Sequence, residues 1–246
     1  KNQDITDQLT VLRLPEVITP KFSLTSEQIG NKNILSIRDG NIAYDKIILQ
    51  DLHLSLMSNE RIAITGNNGS GKSTLVRGIL CQPSITKAGE WQLPNHKAIG
   101  YLDQHYANLD HNATVYETIS ALVPSWSHAE VRKHLNDFLF RKNEEVNAVV
   151  STLSGGEKAR LSLAKIAAHT PQLLLLDEIT NNIDLETRNH VIQVIKNFPG
   201  AIIIISHDED FLEEIGVDNV YNIIEKRIVK EAQIQTPSSN NHFHKI

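Results

Sequence analysis

Small and polar residues at positions 66–74, Gly-Asn-Asn-Gly-Ser-Gly-Lys-Ser-Thr, have the spacing of a phosphate-binding loop. Glycines allow backbone angles that other residues avoid, so successive N–H groups can converge on one anion at the start of a helix. Lys72 supplies a cation for the β- and γ-phosphates, and the Ser73 hydroxyl is a hard oxygen ligand for Mg²⁺. The predicted phosphate-binding residues are Gly66, Asn67, Asn68, Gly69, Ser70, Gly71, Lys72, Ser73 and Thr74.

Two acids, Asp177 and Glu178, follow the apolar run at 172–176. Neighbouring parallel strands end at the same edge of a sheet, so we expect these acids close to the loop. Asp177 is placed to hold Mg²⁺ through its water shell, while Glu178, pointing the other way, can polarise an attacking water. The alternative is a pair of solvated acids at a strand end.

A second glycine motif is Leu153-Ser154-Gly155-Gly156-Glu157. Ser154 can cap a helix whose first turn contains both glycines, which leaves free N–H groups and the positive end of the helix facing outward. This predicts a second phosphate contact, made by Ser154, Gly155, Gly156 and Glu157. By itself the motif is equally consistent with a well-capped helix, because Ser-x-x-Glu is a capping box.

Hydrophobic periodicity predicts the elements that position these residues. The predicted strands are 34–42, 52–57, 61–65, 99–102, 173–177 and 201–206. The predicted helices are 72–81, 115–122, 129–139, 157–168, 185–197 and 208–215. The first two strands alternate apolar and polar residues, as in an antiparallel layer. From 157 onward, helices and strands alternate, which favours an α/β fold with parallel strands and crossover helices.

Composition narrows the class of protein. A net charge of −5 gives no global electrostatic argument for binding nucleic acid. The longest apolar stretches, 173–176 and 201–205, are far shorter than the roughly 20 residues of a membrane-spanning helix. The single cysteine, Cys81, falls in a predicted helix as a small apolar residue and favours a reducing, cytoplasmic setting.

The two ends of the chain differ from its middle. The chain opens with Lys1 instead of methionine, so we expect a fragment, with 1–33 a linker remnant ending in an extended piece at 21–24. Residues 34–235 form the predicted domain, and the polar tail 236–246 is expected to be disordered. The tail's His242 and His244 are too few ligands to indicate a metal site.

Taken together, the motifs resemble the ATP-binding cassette (ABC) superfamily over about residues 34–228. Residues 66–74 match its Walker A loop, 153–157 its signature and 173–178 its Walker B strand. The resemblance implies an ABC-type P-loop ATPase domain that binds ATP and Mg²⁺. It also implies a parallel-strand core, an N-terminal antiparallel β layer and a helical signature subdomain at about 105–165.

The resemblance assigns roles to four further residues. Tyr44 matches the aromatic that stacks on adenine, and Asp184 matches the D-loop. Gln104 matches the Q-loop glutamine, which reaches Mg²⁺ or the lytic water, and His207 matches the switch histidine that contacts the γ-phosphate. Considered singly, Tyr44 is also explained as a half-buried strand aromatic, and Gln104 and His207 as surface polar residues.

The amino-acid sequence in and around the motifs is similar to that of the ABC-F branch, whose members are soluble two-cassette proteins that act on ribosomes. Residues 153–164, 176–187 and 206–212 carry this likeness. Ile179 and Asn182 replace the usual proline and histidine. These changes bear on the rate of ATP hydrolysis and not on the class of protein. The branch implies a second, C-terminal cassette in the cytoplasm that shares each ATP with another cassette and has the ribosome as partner.

Two other functions stay open at this point. An ATPase subunit of an ABC transporter would have the same catalytic residues and would need a membrane partner. A non-hydrolysing regulatory cassette would be favoured if Ile179 and Asn182 mark decay of the catalytic turn.

Overall fold

The computed structural model describes residues 30–103, 105–180 and 183–231. Its strands are β1 (Asn33–Ala43), β2 (Ile47–Met57), β3 (Arg61–Thr65), β4 (Thr86–Gln92), β5 (Ile99–Asp103), β6 (Leu173–Asp177), β7 (Ala201–Ile205), β8 (Asn219–Ile224) and β9 (Arg227–Lys230). Its α-helices are α1 (Lys72–Ile79), α2 (Val115–Ser120), α3 (His128–Asp137), α4 (Asn143–Asn147), α5 (Gly155–Ala168), α6 (Leu185–Lys196) and α7 (Glu209–Ile215).

The strands form two sheets. One is antiparallel with the order β2-β1-β4, which confirms the predicted N-terminal β layer. The other has the order β5-β6-β7-β3-β8-β9, in which all neighbours are parallel except the antiparallel pair β8 and β9. The predicted α/β class with a parallel core is therefore confirmed.

The core strands are buried on both faces, and alternate residues pack into two different clusters. In β6, Leu174 and Leu176 pack with helices α2, α3 and α5, whereas Leu173 and Leu175 pack with α1 and the antiparallel sheet. This burial explains why β6 is a continuous apolar run instead of an alternating one. It also sets Asp177 at the end of a strand that is rigidly held.

Capping boxes begin three helices of the signature subdomain. Ser127 and Glu130 form one at the start of α3, where the Glu130 carboxylate accepts from Ser127 N at 2.6 Å. Thr114 forms a box with Glu117 at the start of α2, and Ser154 begins α5 in the same way. Polar side chains thus satisfy N–H groups that the first turn of each helix leaves free.

Some boundaries differ from the predictions. Helix α1 ends at Ile79, and Cys81 is an exposed turn residue with φ of 53°, so its placement in a helix was wrong. The missed strand β4 is largely exposed and polar, and gives little periodic signal. Strands β8 and β9 and helix α4 are short and were also missed.

Several predictions fall outside the described residues: Gln104, Asn182, the extended piece at 21–24, and His242 and His244. The domain boundaries at 33 and 235 stay predictions. Within 30–103, 105–180 and 183–231, no helix combines the length and the apolar character needed to cross a membrane.

Candidate active site

The predicted phosphate-binding loop lies between β3 and α1. Gly66, Gly69 and Gly71 have φ angles of 138°, 79° and 111°. A Cβ on Gly71 would lie 2.9 Å from a methyl of Leu49, so both the backbone angle and the packing require glycine there. The backbone angles that the sequence argument expects of glycine are therefore observed at these three positions.

Lys72 is buried and curls along its own loop. Its Nζ donates to the carbonyl oxygens of Gly66 at 2.7 Å and Asn67 at 3.2 Å. The Oγ of Ser70 in the same loop is buried and has no hydrogen-bond partner among the described residues. A buried hydroxyl without a partner calls for an explanation, and a loop that completes its hydrogen bonds with a bound anion supplies one.

Ser73 and Asp177 meet where α1 begins and β6 ends. Burial raises the pKa of Asp177, and the nearby charges of Glu178 and Asp103 raise it further. A hydrogen bond from Ser73 acts in the opposite direction and lowers that pKa. A hydroxyl and a carboxylate side by side are hard oxygen donors of the kind that Mg²⁺ prefers.

Glu178 and His207 are brought together by the parallel pairing of β6 and β7. Glu178 N donates to Ile205 O at 2.9 Å, and its φ of 52° is in the left-handed region, which is rare for a non-glycine residue. Its Oε1 lies 3.8 Å from His207 Nε2, and both side chains are partly exposed. A carboxylate and an imidazole are thus available for proton chemistry at this edge.

A cleft of about 1050 Å³ opens beside the loop. It is lined by Gly66 to Ser70 and by His207, and its far wall comes from β2, β8 and the turn after β8. Wall residues such as Val220, Ile223 and Lys226 carry no motif, and sequence reasoning missed them. Its volume is that of a small-molecule or cofactor site.

Tyr44 lies in the turn between β1 and β2, partly exposed, and does not line this cleft. Its hydroxyl accepts a hydrogen bond from Arg77 Nη1 at 3.0 Å. Arg77 is in the last turn of α1, so the helix that follows the loop also holds the tyrosine. No motif indicates Arg77, which looks like an ordinary exposed helix residue.

The second glycine motif begins α5 as predicted. Glu157 N donates to Ser154 Oγ at 3.3 Å, and Ser154 N donates to the Glu157 carboxylate at 2.8 Å. Gly156, however, is packed: a Cβ there would lie 2.8 Å from Thr187 Oγ1 and 2.9 Å from Asp184 Oδ2. Asp184 itself caps α6, because its carboxylate accepts from Thr187 N at 2.9 Å.

Comparison with known proteins identifies the family. The protein-family description "ABC transporter" matches residues 49–181, more than half of the chain. The chain belongs to the ABC transporter family. The match contains the loop, the signature and the two acids, and it confirms the family predicted from them.

Similar ABC proteins come from bacteria and plants. The probable ATP-binding protein YheS of Haemophilus influenzae is 35% identical over 182 residues, 74% of this chain and 28% of that protein. The ABC transporter F family member 5 of Arabidopsis thaliana is 34% identical over 198 residues, 79% of this chain and 28% of that protein. These relatives agree with the predicted ABC-F branch, and the chain spans less than a third of the length of either.

Two solved ABC structures share the fold. One is a dimeric, post-hydrolysis state of the ATP-binding cassette MJ0796 bound to ADP and Pi, with a TM-score of 0.68 and 22% identity over 80% of this chain and 98% of that one. The other is a bacterial Atm1-family ABC exporter with ATP bound, with a TM-score of 0.67 and 21% identity over 93% of this chain and 43% of that one. At these identities they show the ABC fold alone.

The residues of this ABC cassette fit ATP and Mg²⁺. The loop offers a buried cation in Lys72 and a buried hydroxyl without a partner in Ser70. Ser73 and Asp177 form an oxygen pair for the metal. The substituted residue Ile179 is buried in the main core cluster, so the turn after the acids is packed there.

Proposed function

We propose that this cassette binds Mg-ATP and hydrolyses it to ADP and phosphate. The observation that carries the proposal is the meeting of two residue pairs at one edge of the parallel sheet. Ser73 is hydrogen-bonded to Asp177, and Glu178 faces His207 at 3.8 Å. The first pair can bind a metal ion and the second can polarise a water molecule, and phosphoryl transfer to water requires both functions.

Each residue then has one task. Lys72 and the N–H groups of the loop hold the phosphates, and Ser73 and Asp177 hold Mg²⁺ together with Gln104. Glu178 orients and polarises the attacking water, and His207 donates a hydrogen bond to the γ-phosphate. The metal supplies neutralisation of the charge that develops on the phosphate oxygens. Tyr44 lies outside the cleft, and its role of offering a ring face to the adenine rests on the resemblance to the ABC superfamily alone.

The site is completed by the signature of a second cassette, either in the same full-length protein or in a second copy of this chain. The capped start of α5 carries free N–H groups and a positive helix end, both suited to the γ-phosphate of a partner's ATP. In this arrangement the two cassettes close around ATP and open again after hydrolysis.

We place the cassette in the ABC-F branch, acting on the ribosome in translation or antibiotic resistance in the cytoplasm. The support is the wording of residues 153–164, 176–187 and 206–212, together with a plant relative that is an F family member. Binding to the ribosome is tested directly.

The test is sedimentation with ribosomes of the Glu178→Gln variant. Without its catalytic base this variant should hydrolyse ATP at least about 100-fold more slowly and remain ATP-bound. We expect it to pellet with ribosomes in ATP and not in ADP. Glu213→Gln, at an exposed position of α7, is the matched control and should behave as wild type.

Two outcomes would count against the proposal. Unchanged hydrolysis in Glu178→Gln would remove the catalytic role of Glu178. Loss of hydrolysis without ribosome binding, but with ATP-dependent binding to an integral membrane protein, would favour the transporter-subunit alternative.

A further inference from the structure

Among the described residues, strand β5 pairs with a single neighbouring strand, β6, and its carboxyl end lies at the candidate active site. It is an edge strand, and its last residue, Asp103, is the register partner of Asp177 on β6. An edge strand lacks the second ladder of hydrogen bonds that fixes an inner strand. Other contacts must therefore hold the end of β5 in place beside the catalytic acids.

Part of that support comes from the segment directly after the strand. The Asp103 carboxylate accepts from His105 N at 2.7 Å and from Ala107 N at 3.3 Å. Asn108 then turns back, and its Nδ2 donates to the carbonyl oxygen of Tyr101 at 2.9 Å. Residues 105–108 thus form a short segment, the clasp, that is hydrogen-bonded back to the end of β5.

The clasp is fastened to α5 by Lys165. Its Nζ donates to the Asn108 carbonyl oxygen at 2.6 Å. Burial lowers the pKa of this ammonium, which shows that the charge has been partly removed from water. A partly buried cation is costly unless it is hydrogen-bonded, and the Asn108 carbonyl oxygen supplies a hydrogen bond to Lys165.

The end of β5 communicates with Asp177 through side chains as well as through the ladder. Tyr101 and Asp177 share a face of the sheet; burial raises the pKa of Tyr101, and the nearby charge of Asp177 raises it further. The charge of Asp103 also acts on Asp177. A shift of this strand end would therefore move two groups that surround the carboxylate for Mg²⁺.

We propose that Lys165 is a positioning residue that holds the carboxyl end of β5, and the groups around Asp177, in register with the helix that begins at the signature. Helix α5 carries the signature at its N-terminus. Through Lys165, nearer its C-terminus, the same helix also fixes the end of β5 beside Asp177. The expected effect on kcat rests on the proposed hydrolysis of ATP. The expected effect on hydrogen exchange near the end of β5 does not depend on hydrolysis.

The experiment compares Lys165→Met with Lys165→Arg, which keeps the charge, and with Lys133→Met at an exposed position of α3. Two quantities are measured: steady-state hydrolysis, and amide hydrogen exchange of segments 105–109 and 66–74. In Lys165→Met we expect kcat to fall about tenfold with KM for ATP nearly unchanged, and exchange in 105–109 to accelerate about tenfold. Exchange in 66–74 should not change, Lys165→Arg should recover most of both effects, and Lys133→Met should match wild type.

The readouts separate positioning from general destabilisation and from the proposed function. Exchange that accelerates equally in all segments, or a kcat per folded molecule equal to wild type, would overturn the proposal. If the wild-type protein hydrolyses no ATP, the proposed function fails. Unchanged exchange in 105–109 of Lys165→Met would then still refute the positioning role by itself.

Discussion

Gly156 has a packing role that its motif does not reveal. The sequence explains this glycine by the need to leave N–H groups uncovered at the start of α5. In the structure, the position of a Cβ is already occupied by Thr187 Oγ1 and Asp184 Oδ2. The signature therefore lies directly against the residues that begin α6, and Asp184 is held by Thr187 Oγ1 at 2.8 Å.

Replacing Gly156 with alanine should therefore destabilise the fold. We expect Gly156→Ala to lower the free energy of unfolding by about 1 to 3 kcal/mol, because the methyl overlaps two fixed oxygen atoms. Thr187→Ala removes the nearer oxygen, so its effect and that of Gly156→Ala should be less than additive in the double variant. Urea denaturation of the four proteins measures this, and a Gly156→Ala variant as stable as wild type would refute the clash.

At the level of elements, two histidines, His134 half-buried and His190 buried, lie where α3, α5 and α6 meet. His134 on α3 contacts the Ala164 carbonyl oxygen through Nε2 at 2.8 Å, and burial lowers its pKa. His190 on α6 is 8% exposed and packs edge-on against Phe138. Burial, followed by the positive charge of Arg160, lowers the pKa of His190 to about 4. Both rings are accommodated as neutral groups.

This packing predicts a loss of stability in mild acid. Below the ordinary histidine pKa of about 6.5, the unfolded chain takes up a proton that folded His190 does not take up until about pH 4. Stability should therefore fall as pH drops through this window, by about 2 kcal/mol at pH 5 from His190 alone.

The measurement is denaturant unfolding at pH 7.5 and pH 5. His190→Gln should show a pH dependence smaller by about 2 kcal/mol than that of wild type. His96→Gln, at an exposed position, should keep the wild-type dependence. A His190→Gln variant with the full wild-type dependence would show that other groups cause the acid effect.

At the level of the whole molecule, the two parts of the proposed nucleotide site lie at different places in the cassette. The loop lines the cleft and the acids come at the end of β6, whereas the signature begins a helix whose first turn packs on α6. In the proposed head-to-tail pairing, the loop of one cassette meets the signature of the other. One cassette alone then has an incomplete site.

Hydrolysis by this chain should therefore depend on its concentration. We expect the rate per molecule to rise with protein concentration and then level off as pairs form. Two inactive variants, Lys72→Ala and Ser154→Arg, should regain activity when mixed, because a mixed pair has one intact loop facing one intact signature. A rate per molecule that is independent of concentration, with no recovery in the mixture, would exclude the composite site.

The motif residues could be predicted because their chemistry depends on local order along the chain. Loop 66–74 needs glycines with positive φ and a lysine at fixed spacing, and Ser154 needs Glu157 three residues later. The apolar run of β6 likewise announces a strand and places Asp177 at its end. The sequence by itself therefore determined the family, the fold class and most of the proposed site.

Only the tertiary structure decided what supports those residues. Arg77 reaches Tyr44, Thr187 fills the space beside Gly156, and Lys165 holds Asn108 across 57 positions of sequence. Such partners share no period or motif, because each contact depends on where two elements meet after the chain has folded. Strand β4 was missed for a related reason: a largely exposed strand is fixed by pairing with β1 and not by its own hydrophobic pattern.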